Sequence, residues 1–584
     1  MCGIVGTITS EKGVQTDHYT LNLLKNLEYR GYDSFGFVNE HMNLQKFLGA
    51  ISRTKVERSH FSDHSSITIA HTRWATHGKV TLENTHPHLS AANDFAVVHN
   101  GVISNYKELK DRLQSQGVNF KSSTDTEVIP NVIAQIHKDH PNSDPQSIIE
   151  KTISELKGEF AFLVISSHWP NTIVCVKNKS PLVIGVGSKS CVISSDENAL
   201  ASDFEECVHL QDKEIVTIEN VLSDIHIHSS KSENFYKRVC RITASNDDPD
   251  KDGFPDFMSK EMYEIPRAII RACEVEIPET QVFENKRVLL SGCGSAYYAS
   301  WIGQNIRFSL TPRSYTLACP ADELAHSIAL SSFDAVIFIS QSGETYDVLK
   351  PLNEMDKSTI TACVTNVKGS SLSKSVEFPV IQNAGPERCV LSTKSIISQC
   401  SILFRLFSGN TSLLRDLSTQ WVNTFHDFTF QDKVKAITRR FIHKDHYFHI
   451  GRGILHPVAM ENALKLKEVT YCHAEGMGAG FFKHGTLSLI DDRFVVFAHI
   501  PSKTHNPEIY DLTEANISEI EARGGCVIRV GHESSHDFTL PDLTPELNAL
   551  LHLGFGQYYA YHKAVMLNRD IDQPRSLAKS VTVR

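Results

Sequence analysis

The sequence lacks several features that mark whole classes of protein. It carries 58 Lys and Arg residues against 68 Asp and Glu residues, a formal net charge of −10, so it has no basic excess of the kind that nucleic-acid-binding proteins show. No apolar run approaches the length of about 20 residues that a membrane-spanning helix needs. The sequence also does not begin with a basic segment followed by an apolar one. We therefore expect no nucleic-acid partner, no membrane anchor and no secretory signal.

The number and arrangement of the cysteines indicate the redox compartment. There are 13 of them, an odd number, they are scattered, and no two form a Cys-x-x-Cys pair. This pattern is typical of a reducing compartment rather than of a disulfide framework or a zinc site. We expect a cytoplasmic protein without a metal or cofactor.

The length of 584 residues predicts two to four domains. The first 240 residues are dense in short strand patterns with a few helices, which favours packed sheets flanked by helices. The strand candidates are 4–9, 66–71, 94–99, 159–166, 172–177, 182–186 and 191–194. The helix candidates are 16–27, 106–116 and 126–137, the last capped by Asp125 or Thr124. We expect a first domain over 2–240 and a polar linker over 241–256.

After the linker, apolar strands alternate with helices, which predicts parallel sheets. Strands at 287–291 and 334–340 run into glycine- and serine-bearing loops, and strands at 446–450 and 494–500 repeat the layout. In both pairs the strand ends lie about 50 residues apart, which indicates an internal duplication of a doubly wound unit. With a boundary near 427–432, we expect domains over 257–428 and 429–570 and a tail over 571–584.

Cys2 is a candidate nucleophile. If Met1 is removed, one residue carries both a sulfur and a free α-amine, whose reference pKa of about 8 suits it to act as general base. The alternative is an unprocessed cysteine at a frayed terminus.

Two further clusters have the character of sites. The segment 340–345, Ser-Gln-Ser-Gly-Glu-Thr, offers hydroxyls and backbone N–H groups between a strand and a helix, which suits a phosphate monoester such as a sugar phosphate. A second hydroxyl-bearing element follows at 391–394, although a polar turn that caps its own helix would look the same. Glu461, Lys465 and Glu468 are spaced to share one helix face, either as a site or as a solvated salt-bridged surface.

Several motifs together resemble known families. The segments 1–6, 29–34, 71–78, 99–105 and 124–127 resemble an N-terminal-nucleophile glutamine amidotransferase domain. The segments 340–345, 464–468, 483–485 and 572–582 resemble the tandem sugar isomerase domains of the glutamine:fructose-6-phosphate aminotransferase family. The resemblance covers essentially the whole chain. It implies an α/β multidomain fold, in which an αββα glutaminase sandwich precedes two doubly wound parallel-sheet sugar isomerase domains, and it implies a homodimer.

The resemblance also implies residue roles on the glutamine side. Cys2 would attack the glutamine amide, and Asn100 with the N–H of Gly101 would form the oxyanion hole. Trp74 would gate the passage of ammonia, with ordinary cation–π packing as the alternative. The residues implied to bind glutamine are Arg73, Thr76, His77 and Asp125.

On the sugar side, the resemblance makes Lys579 the lysine that forms a Schiff base with the open-chain ketose. Glu468 would move a proton between C1 and C2, and His484 would open the sugar ring. Glu461 and Lys465 would hold Glu468 and the sugar hydroxyls in place. The residues implied to bind the sugar phosphate are Ser295, Ser340, Gln341, Ser342, Thr345, Val390, Ser392 and Ala578.

The sequence departs from the family pattern in places that we expect to surround the acceptor pocket. These positions are Ala296, Pro386, Arg388, Asn462, Phe481, Phe482 and Thr486. They leave open a paralogue that acts on a different ketose phosphate, and a non-catalytic sugar-phosphate sensor with residual glutaminase activity is a second alternative. A phosphoribosyl amidotransferase or an asparagine synthetase is disfavoured, because the second half lacks their pyrophosphate- and nucleotide-binding motifs.

Overall fold

The structure is a computed structural model. It describes residues 2–11, 15–62, 64–75, 78–187, 189–221, 224–231, 234–242 and 251–579, with the backbone alone at 198. These residues form two compact units, of which the first contains the described residues up to 242 and the second contains residues 251–579. Positions 243–250 of the predicted linker lie outside the described residues. Among the helices of the described ranges, none is long and apolar enough to cross a membrane.

The first unit contains two antiparallel sheets and four α-helices in its described residues. The strands are β1 (Gly3–Thr9), β2 (Ser34–Asn39), β3 (Leu44–Leu48), β4 (Ile67–Arg73), β5 (His88–Leu89), β6 (Phe95–Ile103), β7 (Gly158–Ser166), β8 (Thr172–Asn178), β9 (Val183–Val186), β10 (Ser190–Ser194), β11 (Glu206–His209), β12 (Glu214–Val221), β13 (Asp224–Ser229) and β14 (Cys240–Arg241). The helices are α1 (Thr16–Lys25), α2 (Tyr106–Ser115), α3 (Val128–Asp139) and α4 (Pro145–Glu155).

The four layers of this unit follow from which strand faces are apolar. One sheet has the order β14-β11-β9-β10-β1-β4-β2-β3 and the other the order β13-β12-β8-β7-β6-β5. Buried aliphatic side chains from both sheets, such as Ile4, Ile69 and Leu163, interdigitate between them. Helix α1 covers the outer face of the first sheet, and α2 to α4 cover the outer face of the second. The expected αββα sandwich is confirmed.

The predicted cap of the third helix is wrong. The helix begins at Val128 with Glu127 in the cap position, and no side chain caps it. The Asp125 carboxylate instead accepts the backbone N–H of Ile103 at 2.8 Å, which ties it to the end of β6. The strands β2, β3, β5, β11, β12, β13 and β14 were not among the predicted ones. Strand β13 is an edge strand whose alternate residues are exposed, so its apolar signal is weak.

The second unit contains two parallel sheets. The strands of the first are β15 (Val288–Gly292), β16 (Thr316–Pro320), β17 (Ala335–Ile339), β18 (Ile360–Thr365) and β19 (Phe378–Ile381). Those of the second are β20 (His446–Gly451), β21 (His473–Gly478), β22 (Phe494–His499), β23 (Cys526–Gly531) and β24 (Phe538–Thr539). The orders are β16-β15-β17-β18-β19 and β21-β20-β22-β23-β24, so the same strand arrangement occurs twice. The predicted duplication of a doubly wound unit is confirmed.

Twelve α-helices accompany these sheets in residues 251–579. They are α5 (Phe257–Tyr263), α6 (Ile265–Ala272), α7 (Ser295–Leu310), α8 (Leu324–Ser327), α9 (Tyr346–Asn353), α10 (Ser371–Ser375), α11 (Lys394–Ser408), α12 (Ser412–Phe425), α13 (Phe428–Arg440), α14 (Leu455–Thr470), α15 (Pro507–Glu521) and α16 (Pro545–Met566). Helix α16 is buried along most of its length and packs against α14. The proposed boundary at 427–432 coincides with the start of α13, which Asp427 caps.

A buried ion pair supports the second sheet of the first unit. The Glu214 side chain is fully buried, and it accepts hydrogen bonds from the Arg238 guanidinium, from the Ser229 hydroxyl at 2.6 Å and from the Gln211 N–H at 2.6 Å. We expect Glu214→Ala to lower the free energy of unfolding by about 3–5 kcal/mol, because it leaves Arg238 without its partner. Chemical unfolding followed by circular dichroism measures this.

The matched control is Asp212→Ala, which removes a carboxylate that is 55% exposed and lies 2.5 Å from Lys177. Its loss should cost below about 1 kcal/mol, because solvent screens exposed pairs. Equal costs for the two variants would contradict the assignment of Glu214 as a buried anchor.

Candidate active sites

The sulfur of Cys2 rests against the end of a neighbouring strand. Strand β1 starts at Gly3 and pairs with β4 and β10, so Cys2 lies beside the end of β4. The backbone N–H of Trp74, the residue after β4, lies 3.3 Å from the Cys2 sulfur. The Asp33 carboxylate accepts the N–H of Ala75 at 2.8 Å and fixes this turn. The nucleophile candidate and the turn beside it are therefore positioned together.

The environment of Cys2 favours the neutral thiol. Burial raises the pKa of the Cys2 thiol, while the Trp74 N–H and the charges of Arg73 and Arg30 act in the opposite direction without overcoming it. A thiol of this kind needs a base before it can attack a carbonyl. The α-amine that removal of Met1 would expose is such a base. Met1 itself lies outside the described residues.

Asn100 is held beside Cys2 on β6. Its side-chain NH₂ donates to the backbone carbonyl of Cys2 at 2.8 Å, and its side-chain oxygen lies 3.2 Å from Nε2 of His71. Burial lowers the pKa of His71 to about 3, so this ring is neutral. An NH₂ group carries two donors, and the bond to Cys2 uses one of them. The other is available for an oxyanion.

Gly101 follows in a conformation that suits glycine. Its φ is +119°, and an added Cβ would lie 2.0 Å from the carbonyl oxygen of Glu159. A side chain at this position would therefore push β6 away from β7. The backbone that carries the second oxyanion donor candidate depends on this residue being glycine.

The predicted glutamine-binding residues are described in part. Arg73 is buried and donates to the carbonyls of Gly78 at 3.1 Å and Lys79 at 3.2 Å. Burial lowers the pKa of Arg73, and the charges of Asp33 and Asp125 oppose that shift, which places Arg73 and Asp125 in one electrostatic environment. Thr76 and His77 lie outside the described residues.

The hydroxyl-bearing loop of the second unit encloses a compact turn. Ser340 follows β17, and its hydroxyl lies 2.9 Å from that of Thr345, the residue before α9. The N–H of Gly343 donates to the Ser340 hydroxyl at 3.1 Å. Gly343 has a φ of +67°, and a Cβ there would lie 2.2 Å from the Ser370 hydroxyl oxygen. The loop between Ser340 and Thr345 therefore has a defined shape.

Ser295 lies at the neighbouring strand end. It is the first residue of α7, which Cys293 and Gly294 connect to β15, and β15 is hydrogen-bonded to β17. The connection after β15 leads to β16 on one side, and the connection after β17 leads to β18 on the other side, so the strand order reverses between β15 and β17. Doubly wound folds bind ligands at such a reversal. The structure thus brings Ser295 and residues 340–345 to the expected edge.

The second hydroxyl-bearing element, at residues 391–394, offers only part of its side chains to a ligand. The Thr393 hydroxyl lies 3.0 Å from a Glu261 oxygen and 3.1 Å from a Glu387 oxygen, and the buried Lys394 ammonium pairs with Glu264. These two side chains support the fold instead of facing a ligand. Ser392 is half-buried, with its hydroxyl 2.8 Å from that of Ser395.

The three charged residues of α14 form a buried group. The Lys465 ammonium lies 2.6 Å from Glu468 and 3.4 Å from Glu461, and Glu461 and Lys465 are each 1% exposed. The alternative of a solvated helix face is excluded. Burial, assisted by Glu468, raises the pKa of Glu461 to about 7 against the effect of Lys465. The two carboxylates raise the pKa of Lys465, although burial alone would lower it.

Lys579 contacts a carboxylate that the sequence did not single out. Its ammonium lies 2.5 Å from Glu387 and donates to the carbonyl of Leu391 at 3.2 Å. The other partners of Glu387 include the N–H groups of Thr393 and Ser395. Burial would raise the pKa of Glu387, but Lys579 and the N–H and hydroxyl of Ser395 lower it to about 2. Glu387 could be found only once the fold was known, since 192 residues separate it from Lys579.

The tail that carries Lys579 is anchored at its start. The Asp572 carboxylate accepts the N–H of Phe257 at 2.8 Å, and the Asp572 carbonyl accepts the N–H of Val390 at 3.2 Å. These bonds, with that of Lys579 to Leu391, bring the tail beside the segment 390–392, which contains Val390 and Ser392. Ala578 adjoins Lys579 in the chain. Burial raises the pKa of the nearby Glu261 to about 8, and the charge of Glu387 adds to this.

His484 is not among the described contacts of Lys579 and Glu387. It is exposed on the segment after β21, and its ring contacts that of Phe481 with centroids 6.2 Å apart. Two of the family departures also lie elsewhere than expected. Phe482 is buried against Phe448, and Asn462 donates to the carbonyl of His552 at 2.9 Å. A Cβ on Gly556 would lie 2.1 Å from Asn462, so a glycine on α16 accommodates it.

The chain matches known families along both units. Residues 71–202 match the model of a glutamine amidotransferase domain, and residues 281–408 and 440–535 match that of the SIS domain. Glutamine–fructose-6-phosphate aminotransferase (isomerizing) of Methanococcus maripaludis is 34% identical over 612 residues and that of Aquifex aeolicus 36% over 615, with 100% of each chain covered in both cases. The chain belongs to the glutamine–fructose-6-phosphate aminotransferase family. The solved C-terminal domain of glucosamine-fructose-6-phosphate aminotransferase from Francisella tularensis is 27% identical, covers 56% of this chain and 100% of that chain, and superposes with a TM-score of 0.49.

The raised pKa of Glu461 in this member of the family has a consequence for stability. The folded state favours the protonated carboxyl, so ionisation of Glu461 penalises folding as the pH rises from its ordinary value of 4.5 through about 7. Glutamine at this position avoids the penalty. We expect the free energy of unfolding of Glu461→Gln, compared with that of the unsubstituted chain at the same pH, to rise by roughly 3 kcal/mol as the pH increases through this window.

Urea unfolding at the two ends of the window measures the change, with Glu508→Gln on the exposed surface of α15 as control. A constant difference between the Glu461 variant and the unsubstituted chain at both ends would refute the protonated state of Glu461.

Proposed function

We propose that this chain transfers the amide nitrogen of glutamine to fructose 6-phosphate and isomerises the product to glucosamine 6-phosphate, with release of glutamate. The observation that carries the proposal is the placement of Lys579. Its amine lies against a buried carboxylate beside residues 390–392, in the unit whose parallel sheet presents Ser295 and the loop 340–345 at its carboxyl edge. The relatives that match over their full length carry the same activity in their names.

In the glutaminase half, the Cys2 sulfur attacks the carbonyl carbon of the glutamine side chain. The proton of the thiol passes to the α-amine and from there to the leaving nitrogen, so that ammonia departs and a thioester remains. Water then hydrolyses the thioester, which releases glutamate and restores the thiol. Asn100 and the N–H of Gly101 stabilise the oxyanion. Arg73 pairs with the substrate carboxylate and Asp125 with its ammonium group, and Thr76 and His77 are further glutamine-binding residues in this proposal. Trp74 controls the departure of ammonia.

In the sugar half, the phosphate binds to Ser295, Ser340, Gln341, Ser342 and Thr345, and Val390, Ser392 and Ala578 line the pocket. His484 opens the sugar ring. The amine of Lys579 condenses with the ketone to an imine, with loss of water, and ammonia then displaces the lysine. Glu468 removes a proton from C1 and returns one to C2. Since Lys465 lies 2.6 Å from Glu468 and 3.4 Å from Glu461, it holds the base in place.

Glu387 acts as a positioning residue for Lys579. A buried carboxylate that accepts several N–H groups is rigid, and it fixes the ammonium that it pairs with. Glu387 contacts the Lys579 amine directly, and the same amine donates to the carbonyl of Leu391. Glu387 therefore holds the amine beside residues 390–392 between turnovers.

We further place the protein in the cytoplasm as a homodimer. All 13 cysteines lie in the described ranges and none is in a disulfide, as in proteins of reducing compartments. The exposed position of His484 leaves its ring accessible to groups from a second copy. Light scattering coupled to size exclusion measures the mass in solution.

Lys579→Ala tests the function directly. We expect it to abolish the formation of glucosamine 6-phosphate, because no imine can form, while glutamine hydrolysis continues. Borohydride reduction in the presence of fructose 6-phosphate should add the sugar to the unsubstituted chain and not to the variant. Lys435→Ala on α13, a half-buried lysine paired with Asp432, is the matched control.

Synthesis of the amino sugar at an unchanged rate in Lys579→Ala would remove this lysine from the mechanism. A panel of other ketose phosphates, assayed with the same products identified by mass, separates the proposed substrate from that of a paralogue. Turnover of another ketose phosphate in preference to fructose 6-phosphate would overturn the substrate assignment but leave the role of Lys579 intact.

A further inference from the structure

A cluster of soft ligands lies at the edge of the first sheet, in residues that the proposed reaction does not use. Strand β11 contributes Cys207 and His209, and Cys240 opens β14, the edge strand. Cys207 and Cys240 are directly opposite each other in the antiparallel pair, with their sulfur atoms 4.0 Å apart. Each of the three residues offers one ligand atom, and these three atoms lie within 4.8 Å of one another.

The strand geometry explains why three residues distant in sequence converge. Positions i and i+2 of a strand point to the same face, so Cys207 and His209 share a side of β11. The register then places Cys240 beside Cys207 on that side. No Cys-x-x-Cys spacing is needed, which is why the sequence alone did not predict a metal site.

The distances fit a tetrahedral ion. Zinc binds thiolates at about 2.3 Å, so two sulfurs of one tetrahedral site lie about 3.8 Å apart, close to the separation found here. The Nε2 atom of His209 lies 2.6 Å from the Glu197 carboxylate. Ligating histidines characteristically bond a carboxylate through the ring nitrogen that does not bind the metal. The outer partner of a zinc ligand is therefore already in place.

We propose that Cys207, His209 and Cys240 bind a zinc ion, with Glu197 orienting His209. Two thiolates and one imidazole are ligands that zinc prefers. Cys207 is buried and Cys240 is exposed, so the solvent side of the site can supply water as the fourth ligand.

The position of the site indicates what the ion does. Strand β14 has two residues, and its backbone pairing to β11 comprises two residue pairs, extended by the bond from the N–H of Ile242 to the carbonyl of Glu205 at 2.8 Å. So short a strand gains little from pairing alone. A metal that bridges β11 and β14 would fasten the end of the first unit to its sheet, because the free energy of metal binding adds to that of folding.

The test uses the full chain, purified without chelator and dialysed against zinc. We expect about one zinc ion per chain by elemental analysis, and a thiolate-to-metal charge-transfer band when cobalt replaces zinc. Cys240→Ser should lose both signals, and Glu197→Gln should weaken zinc binding by roughly 10–100-fold. Because Cys240 is exposed, its replacement by serine should leave the fold intact.

Two controls make the result decisive. Cys526→Ser removes a half-buried cysteine from the second unit and should bind zinc as the unsubstituted chain does. Ethylenediaminetetraacetate should lower the melting temperature of the unsubstituted chain and not that of Cys240→Ser. Full zinc content in Cys240→Ser would overturn the proposal, as would a Cys207–Cys240 disulfide in protein isolated under reducing conditions.

Discussion

The contact between the Cys2 sulfur and the N–H of Trp74, at 3.3 Å, is the interaction on which the position of the candidate nucleophile depends. It ties the residue before β1 to the turn after β4, and Asp33 holds that turn. A residue near the start of a chain would otherwise fray. Because β1 lies inside its sheet, between β4 and β10, the sulfur keeps one position relative to Asn100 and Arg73.

The second unit uses one sheet arrangement twice for different chemistry. The first copy presents hydroxyls at the ends of β15 and β17, which suit a phosphate. The second copy presents carboxylates and a lysine on α14, which suit proton transfer. Buried charge is costly unless it is paired. Glu461, Lys465 and Glu468 form one neutralising group, and Glu387 with Lys579 forms another.

Local patterns predicted much of this correctly. The spacing of Glu461, Lys465 and Glu468 implied a shared helix face, and the strand-loop-helix repeats implied two sheets of equal order, because both depend on residues near each other in sequence. Glu387 and the group of Cys207, His209 and Cys240 could not be predicted in this way. Each depends on residues brought together by tertiary structure. The cap of α3 was also mispredicted, since Asp125 bonds to β6 instead.

The central claim is that the nitrogen freed at Cys2 is the nitrogen that reaches the sugar. The most direct measurement supplies glutamine labelled with heavy nitrogen in its amide, fructose 6-phosphate and an excess of unlabelled ammonium, and then determines the mass of the amino sugar. We predict a labelled product from the unsubstituted chain and no labelled product from Cys2→Ala. An unlabelled amino sugar from the unsubstituted chain, while it hydrolyses glutamine, would contradict the account.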